Sequence, residues 1–139
     1  MATPPRRTFE RRDRLGRSRD FTRVYAQGSR VASRTFLMFV AENALGHHRL
    51  GLAIARRVGN AVLRNRVKRR LREAFRLSRH RIPGSLDLVL HGRQEVAEQP
   101  MEELLEAFVS TAQRGVRQVA ARLARSGKPA SEPPERKVT

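Results

Sequence analysis

Residues 56–81 constrain the fold more than any other part of the chain, because they carry eleven cations and a single acid, Glu73, in 26 residues. Apolar residues recur within this stretch at helical spacing. They are Leu63, Val67, Leu71, Ala74 and Phe75. The pattern predicts an amphipathic helix over residues 61 to about 79, which follows a strand break at Gly59 and has Asn60 as its N-cap.

The cations of this helix separate from its apolar stripe on a helical wheel. The arc opposite the stripe holds Arg64, Asn65, Lys68, Arg69, Arg72, Arg76 and Arg79. Arg66 and Arg70 flank the stripe, beside Glu73. The plainer interpretation is a solvated face, but like charges four residues apart cost a helix a few tenths of a kcal/mol each. We therefore interpret this arc as a surface for phosphates, where counterion release supplies affinity.

The whole chain is strongly basic, since its 139 residues include 30 Lys and Arg against 13 Asp and Glu, a formal net charge of +17. Only three of these cations are lysine, namely Lys68, Lys128 and Lys137. Arginine presents a planar fork of donors that fits phosphate and also stacks on bases. A polyanion would relieve the self-repulsion of this charge, so we expect RNA or DNA as the partner.

Several classes of protein are excluded or disfavoured by what the sequence lacks. It contains no cysteine, which excludes disulfide scaffolds, thiolate zinc sites and thiol catalysis. No apolar run approaches the roughly 18 residues that a membrane span needs. The first seven residues have no apolar stretch of the secretory-signal type. We therefore expect a cytoplasmic protein with no membrane partner.

The residue types that support metal binding or catalysis are scattered along the chain. The histidines do not have metal-ligand spacing, and they are His47, His48, His80 and His91. The carboxylates Asp20, Glu73 and Asp87 are far apart in sequence, whereas a nuclease site needs them paired. No glycine-rich phosphate loop is present. We predict no catalytic residue, no metal site and no cofactor bound by the protein itself.

The remaining patterns predict one domain with two tails. A helix is expected from an N-cap at Ser18 to a stop at Gly28, and another from Pro100 to Gly127. Apolar runs of strand type occupy residues 35–41, 49–58 and 86–90. This order indicates an α+β class, a two-layer α/β sandwich in which helices pack on a small central sheet. We expect a single RNA-binding domain over residues 15–126, a flexible basic arm over 1–14 and a disordered tail over 127–139.

Aromatic residues of the first helix and first strand form a second candidate site. Phe21 and Tyr25 are one turn apart on the same helix face, and Phe39 lies in the following strand. Single-stranded RNA is gripped by stacking its bases on such rings beside positive charge. A smooth face of Gly51, Ala53 and Ala55 can form the floor. On the residues alone, burial of these rings in the core is the stronger alternative.

A contiguous segment and several upstream residues resemble a known family. Residues 57–73 read RVGNAVLRNRVKRRLRE, and the Arg-Asn-Arg at 64–66 is the named motif of the bacterial ribonuclease P protein subunit. The resemblance extends over about residues 14–92, in the order Arg14-Leu15, Asp20-Phe21, Val24-Tyr25, Gly28, Val31-Ala32, Arg34 and Phe36.

The resemblance implies a function in which the RNA partner is the catalyst. In this family the RNA subunit carries out a magnesium-dependent hydrolysis that removes the 5′ leader of precursor tRNA, and the protein binds both RNAs. It also implies a left-handed crossover through the basic helix. The residues that would contact the catalytic RNA are Arg56, Arg57, Asn60, Arg64, Asn65, Arg66, Lys68, Arg69 and Arg72. The leader cleft would be lined by Phe21, Tyr25, Arg34, Phe39 and Ala53.

Ala53 departs from the family pattern, because some relatives have a hydroxyl residue there, which puts a leader hydrogen bond at this point in doubt. Two further classes remain as alternatives. A ribosomal or other structural RNA-binding protein fits the size and charge equally well. A DNA-binding protein that inserts a helix in the groove is disfavoured, because the basic helix is flanked by strands rather than by a second helix and a short turn.

Overall fold

The computed structural model describes residues 9–126 of the chain. These residues contain three helices: α1 (Ser18–Gln27), α2 (Ala61–Ser78) and α3 (Met101–Ser126). Four strands accompany them: β1 (Ser29–Ala32), β2 (Phe36–Glu42), β3 (Arg49–Leu52) and β4 (Leu86–Gly92). Short 3-10 turns lie at Arg11–Asp13, Arg56–Val58, Arg79–Arg81 and Gln94–Ala97. None of the helices in this part of the chain is long and apolar enough to cross a membrane.

The four strands form one mixed sheet in the order β1-β2-β4-β3. β2 runs antiparallel to both of its neighbours, with Met38 opposite Leu90 of β4. β3 runs parallel to β4, with Leu50 opposite Leu88. Because α2 joins these two parallel neighbours, it is the crossover helix, and the α+β class is confirmed. The left-handed sense of the crossover stays a prediction.

The two faces of the sheet bury different sets of residues, since side chains alternate along a strand. One face carries Met38, Leu88 and Leu90, which join Leu71 of α2 and Phe108 of α3 in the main core. The other face carries a smaller cluster, which α1 covers and which comprises Leu15, Val24, Ala41 and Val89 with Phe21 and Phe39 at its border. The helical layer is therefore α2 and α3, while α1 lies alone on the opposite face.

The predicted limits of two elements were wrong, and one strand was not predicted. Ser18 is the first residue of α1 and Arg17 is the N-cap, which makes no side-chain capping bond. The strand predicted over residues 49–58 ends at Leu52. Beyond it the chain stops pairing with the neighbouring strand β4 and turns towards the start of α2. β1 was missed, since this short edge strand pairs only with β2 and its residues show no strong apolar alternation.

The predicted basic helix is confirmed, together with its cap. Asn60 is the N-cap of α2, and its side-chain oxygen accepts a hydrogen bond from the backbone N–H of Leu63 at 2.9 Å. This bond satisfies one of the free donors at the start of a helix. Val67 and Leu71 are fully buried. The charged arc of α2 is thereby fixed in direction, because its apolar stripe lies against the sheet.

Part of the predicted arm is packed on the domain. Phe9 meets the ring of Phe75 edge-on, with 5.7 Å between centroids. Asp13 is buried and pairs with Arg79 at 2.9 Å. Residues 1–8 of the arm and the predicted tail, residues 127–139, lie outside the described residues.

Candidate RNA-binding surfaces

The cations of α2 divide into two sets by what they contact. Some are committed to the protein itself. Arg66 donates to the carbonyl of Ala97 at 3.0 Å, and Arg70 donates to the carbonyls of Val96 and Gln99. These bonds hold the 3-10 turn Gln94–Ala97 against α2 and satisfy its carbonyl groups. Arg66 keeps nearly half of its side chain exposed, and one of its outer nitrogens pairs at 3.9 Å with the exposed carboxylate of Glu98.

Three further arginines of this region are also engaged. Arg64 donates from Nε to the carbonyl of Gly59 at 3.0 Å, which closes the start of the helix. Arg76 pairs with Glu73 at 2.6 Å, and Arg79 pairs with Asp13. The arc that the helical wheel presents as uniform is therefore partly neutralised towards the C-terminal end of α2.

The second set has no such partners, and we call it the cationic face. Its side chains make no hydrogen bond or ion pair within residues 9–126. They are Arg56 and Arg57 of the turn before α2, the α2 cations Lys68, Arg69 and Arg72, and the neutral Asn65 among them. Burial lowers the pKa of Arg72, and the positive charges of Arg14 and Arg69 lower it further. An arginine whose neighbours are cations rather than carboxylates gains by contact with an external anion.

The aromatic residues predicted for the leader cleft do come together, and a histidine joins them. Tyr25 of α1 packs edge-on against Phe39 of β2, with 4.9 Å between ring centroids, and lies next to Phe21 at 6.3 Å. His91 of β4 lies 5.5 Å from Phe39 and 5.6 Å from Tyr25. We call these four residues the aromatic cluster. Tyr25 is 40% exposed, so part of the cluster is open to a ligand.

A hydrogen bond fixes two of these rings. The hydroxyl of Tyr25 lies 2.8 Å from Nε2 of His91. Burial raises the pKa of Tyr25, so the hydroxyl stays protonated and is hydrogen-bonded to the neutral imidazole. Burial, followed by the charge of Arg30 on β1, lowers the pKa of His91 and favours that neutral form. His91 was not predicted to belong to this site. It lies two residues after Val89 in β4, so it is on the same face of the strand, the face that α1 covers.

The small residues of β3 allow α1 to approach the sheet. A Cβ added at Gly51 would lie 2.7 Å from Cζ of Phe21, so only glycine admits this ring position. Ala53 extends the pairing one residue past β3, since its N–H donates to the carbonyl of Leu90 at 2.9 Å. It is half-buried on the Gly51 side of the strand.

A buried carboxylate anchors α1 over this face. Asp87 of β4 is fully buried and accepts two bonds from Arg49 at 2.8 and 2.9 Å and one from Asn43 at 2.7 Å. Arg23 of α1 pairs with the same carboxylate. The hydrogen bond from Arg49 to Asp87 raises the pKa of that guanidinium. Asp87 stands as a single charge in the middle of the apolar run at 86–90. It is a sequence signal for this network that periodicity alone does not detect.

Arg34 contacts Glu103 rather than the aromatic cluster, so its predicted place in the cleft gains no support from the structure. Its exposed guanidinium pairs with Glu103 of α3 at 3.3 Å. It lines a cavity of about 490 Å³ together with Thr35 and Gln99, whose side chains are hydrogen-bonded to each other. The turn between β1 and β2 carries Arg34 towards the start of α3, on the other side of the sheet from α1.

Seven acidic residues of the described chain form ion pairs, namely Asp13, Asp20, Glu73, Asp87, Glu98, Glu103 and Glu106. Asp20 and Asp87, which the sequence separates widely, both contact Arg49. Within residues 9–126 no group of three or more His, Asp or Glu side chains is arranged to hold a metal ion.

The chain is similar to known proteins both in sequence and in fold. A family model described as Ribonuclease P matches residues 9–115, which extends the resemblance into α3. The ribonuclease P protein component of Pelotomaculum thermopropionicum is 34% identical over 102 residues, which cover 73% of this chain and 91% of that protein. The corresponding protein of Syntrophobacter fumaroxidans is 46% identical over 86 residues, covering 61% and 72%.

Solved structures show the same fold. The ribonuclease P protein of Thermotoga maritima aligns with a TM-score of 0.65 at 28% identity, over 73% of this chain and 96% of that one. The Staphylococcus aureus protein aligns with a TM-score of 0.58 at 30% identity, over 79% and 94%. The chain therefore belongs to the family of bacterial ribonuclease P protein components, subunits of the ribonucleoprotein endoribonuclease that processes the 5′ ends of tRNA.

Proposed function

We propose that this protein binds the catalytic RNA of ribonuclease P through α2 and its preceding turn, and binds the 5′ leader of precursor tRNA through the aromatic cluster. By holding both RNAs it assists removal of the leader and broadens the range of substrates. The observation that carries the proposal is the pairing of two surfaces of different chemistry, an unneutralised cationic face and a set of partly exposed rings, on elements that pack against opposite faces of one sheet.

The surface for the catalytic RNA consists of the cationic face together with the exposed parts of three partly engaged residues. Its members are Arg56, Arg57, Asn60, Arg64, Asn65, Arg66, Lys68, Arg69 and Arg72. Their density of positive charge supports contact with phosphates, and each phosphate neutralised releases counterions. Asn65 adds a neutral donor and acceptor for a ribose hydroxyl or a base edge.

The surface for the leader consists of Phe21, Tyr25 and Phe39 with Ala53 at its border, and we add His91. Rings that are partly exposed and fixed in direction are suited to stack unpaired bases. The Tyr25–His91 hydrogen bond supports this role, because it holds two of the rings in place before a base arrives. Arg34 is left out, since it pairs with Glu103 on the other side of the sheet.

The chemistry in this proposal belongs to the RNA partner. We assign the required Mg²⁺ ions to the catalytic RNA and its substrate, and we assign no catalytic group to the protein. The protein supplies charge and positioning, which lower the concentration of Mg²⁺ that the two RNAs need in order to associate. The family also supports a cytoplasmic location, where precursor tRNA is available.

Cleavage of precursor tRNA by a bacterial ribonuclease P RNA at low Mg²⁺ tests the proposal. The assay is run with and without the protein, on substrates whose leaders range from one nucleotide to about ten. We expect strong stimulation that grows as the leader lengthens and then reaches a plateau. Tight binding of the catalytic RNA without stimulation of cleavage would instead make the protein a structural RNA-binding component. Stimulation that is independent of leader length would overturn the assignment of the aromatic cluster.

A further inference from the structure

A pocket of about 490 Å³ lies where three parts of the chain meet, and neither RNA-binding surface includes it. Its walls are the turn between β1 and β2, the first turn of α2, and the segment that leads from the 3-10 turn Gln94–Ala97 to α3. The volume falls within the roughly 300 to 1,000 Å³ of pockets that hold small ligands. We call it the Gln99 pocket, and its polar lining residues are Arg34, Thr35, Gln94, Glu95, Glu98 and Gln99.

The side chain of Gln99 is buried in the wall of this pocket, and half of its amide lacks a partner. The residue is only 7% exposed. Its side-chain oxygen accepts from the hydroxyl of Thr35 at 2.7 Å, and its backbone carbonyl accepts from Arg70. The amide nitrogen makes no hydrogen bond within residues 9–126. Because buried polar groups are nearly always paired and costly when they are not, these two N–H groups indicate a place for an acceptor from outside the protein.

The charge of the Gln99 pocket is opposite to that of the chain as a whole. Its described lining has two carboxylates, Glu95 and Glu98, and one arginine, Arg34, which pairs with Glu103 at 3.3 Å. A phosphate is disfavoured beside two carboxylates. A cation is disfavoured by the amide of Gln99, because the unpaired end of that amide offers donors and no lone pair. The pocket therefore suits a neutral group that carries both an acceptor and donors.

The apolar part of the lining narrows the choice to a nucleobase. Leu63, Ala97 and Pro100 supply apolar wall, against which a flat ring can pack. Guanine presents an acceptor, O6, next to two donors, N1–H and N2–H, whereas the same edge of adenine has one donor group beside an acceptor. O6 can accept from the amide of Gln99, while N1–H and N2–H match the two oxygens of a carboxylate at the rim.

The mouth of the pocket adjoins the surface that we assign to the catalytic RNA. Glu98 at its rim pairs with Arg66 of that surface at 3.9 Å, and Leu63 belongs to the first turn of α2. An RNA strand whose backbone follows α2 can therefore turn a base towards the pocket, and unpaired bases of RNA are commonly read on this edge.

We propose that the Gln99 pocket binds an unpaired guanine base of the catalytic RNA. The inference rests on the proposed function and extends it, because it adds recognition of a base to a surface that otherwise neutralises phosphates. Free guanosine has the same edge, so the experiment has one arm with the nucleoside and one with the RNA.

The first arm titrates the full-length protein with guanosine or adenosine and follows the side-chain N–H signals of Gln99 by NMR. We expect guanosine to shift these signals and adenosine to bind more weakly. The double variant Glu95→Gln, Glu98→Gln should bind guanosine about tenfold more weakly, as should Gln99→Met, both followed by backbone signals of the pocket. Glu95 and Glu98 are exposed, so the double variant keeps the test valid even if Gln99→Met does not fold. The matched control is Glu42→Gln, Glu102→Gln, which removes two exposed carboxylates outside the pocket.

The second arm treats complexes with a bacterial ribonuclease P RNA with kethoxal, which reacts with N1 and N2 of unpaired guanine. We expect the wild type and the control variant to protect at least one guanine that stays reactive in the complex with Glu95→Gln, Glu98→Gln. Each complex is formed at saturating protein, so that a difference in affinity does not imitate a loss of protection.

The outcomes separate this proposal from the proposed function. Equal binding of guanosine and adenosine, or no shift of the Gln99 signals, would overturn the guanine pocket. Guanosine binding without a guanine whose protection depends on Glu95 and Glu98 would overturn the RNA as its source, while binding of the RNA itself leaves the proposed function standing. A wild type that does not bind the RNA would overturn both the source and the proposed function, and the guanosine arm, which contains no RNA, would still decide whether the pocket binds guanine.

Discussion

The cationic face and the aromatic cluster differ in how many parts of the chain build them. The cationic face comes from α2 and the turn before it, so residues 56–72 contain all of its members. The aromatic cluster takes Phe21 and Tyr25 from α1, Phe39 from β2 and His91 from β4, which lie up to 70 residues apart. A surface on one helix follows from helical periodicity, whereas a surface across three elements exists only after the sheet has formed.

The two surfaces also differ in what holds them in place. The apolar stripe of α2 lies in the main core, so its charged arc is fixed by hydrophobic burial. The aromatic cluster depends on α1, which covers a smaller apolar cluster and is anchored by the buried Asp87 network. Polar anchoring of one surface and apolar anchoring of the other predict different responses to mutation.

The largest effect is expected at the anchor of α1. Replacing Asp87 with Asn leaves Arg23 and Arg49 without their shared carboxylate, and we expect a loss of about 3 kcal/mol in the free energy of unfolding. Urea denaturation measures it. Glu106→Gln is the matched control, because its pair with Arg81 is exposed and its loss should cost less than about 1 kcal/mol. Equal losses in the two variants would show that the buried network does not anchor the fold.

Removing a ring from the aromatic cluster is expected to separate the two surfaces. Tyr25→Ala should weaken binding of a precursor tRNA with a long leader by about 1 to 3 kcal/mol per base no longer stacked. Binding of the catalytic RNA alone should not change. Tyr25→Phe keeps the ring and removes only the bond to His91, so it should retain most of the affinity. Filter binding with long and single-nucleotide leaders distinguishes these cases, and a loss that is equal for both leaders would contradict leader stacking.

Changes on the cationic face are expected to have the opposite pattern. The double variant Arg69→Gln, Arg72→Gln should reduce the salt slope of catalytic-RNA binding by about 0.7 to 0.9 for each phosphate that it no longer neutralises. The effect of leader length on substrate binding should persist, because neither residue contacts the aromatic cluster. A titration over several salt concentrations measures the slope. If this variant and Tyr25→Ala affected both assays equally, the two surfaces would not be separate.

The smallest effect concerns pH and a site outside both surfaces. His48 is buried, with Nδ1 accepting from the N–H of Leu86 and Nε2 donating to the carbonyl of Ile82, both at 3.0 Å. Burial is the main cause that lowers its pKa. As pH falls, His48 therefore takes up a proton in the unfolded chain before it does so in the folded chain. The contribution of His48 to the free energy of unfolding is complete above its unfolded pKa of about 6.5, and it is lost as pH falls from there towards the folded pKa.

Urea denaturation at about pH 7.5 and about pH 5.5, on either side of that unfolded pKa, measures this dependence. His48→Gln should reduce the difference in stability between the two pH values, while His80→Gln, at an exposed position, should not. A residual dependence is expected from His91, whose pKa is also lowered by burial. An unchanged difference in His48→Gln would assign the acid sensitivity to other groups.

The sequence by itself determined the elements whose signals are local. The spacing of Leu63, Val67 and Leu71 predicted α2, and Asn60 was identified as its cap, because helical periodicity and capping involve residues within one or two turns. The Arg-Asn-Arg motif at 64–66 pointed to the family. The class of the fold followed from the order of helices and strands.

Only the tertiary structure decided which residues of separate elements meet. It brought His91 to Tyr25, placed Arg34 against Glu103, and packed Phe9 on α2, and none of these contacts has a periodic signal in the sequence. It also decided which cations of α2 remain unpaired, since Arg66 and Arg70 donate to carbonyls about 30 residues away. The physical reason is that a charge pattern fixes how many cations a surface holds, whereas their partners depend on strand register and on the path of distant turns.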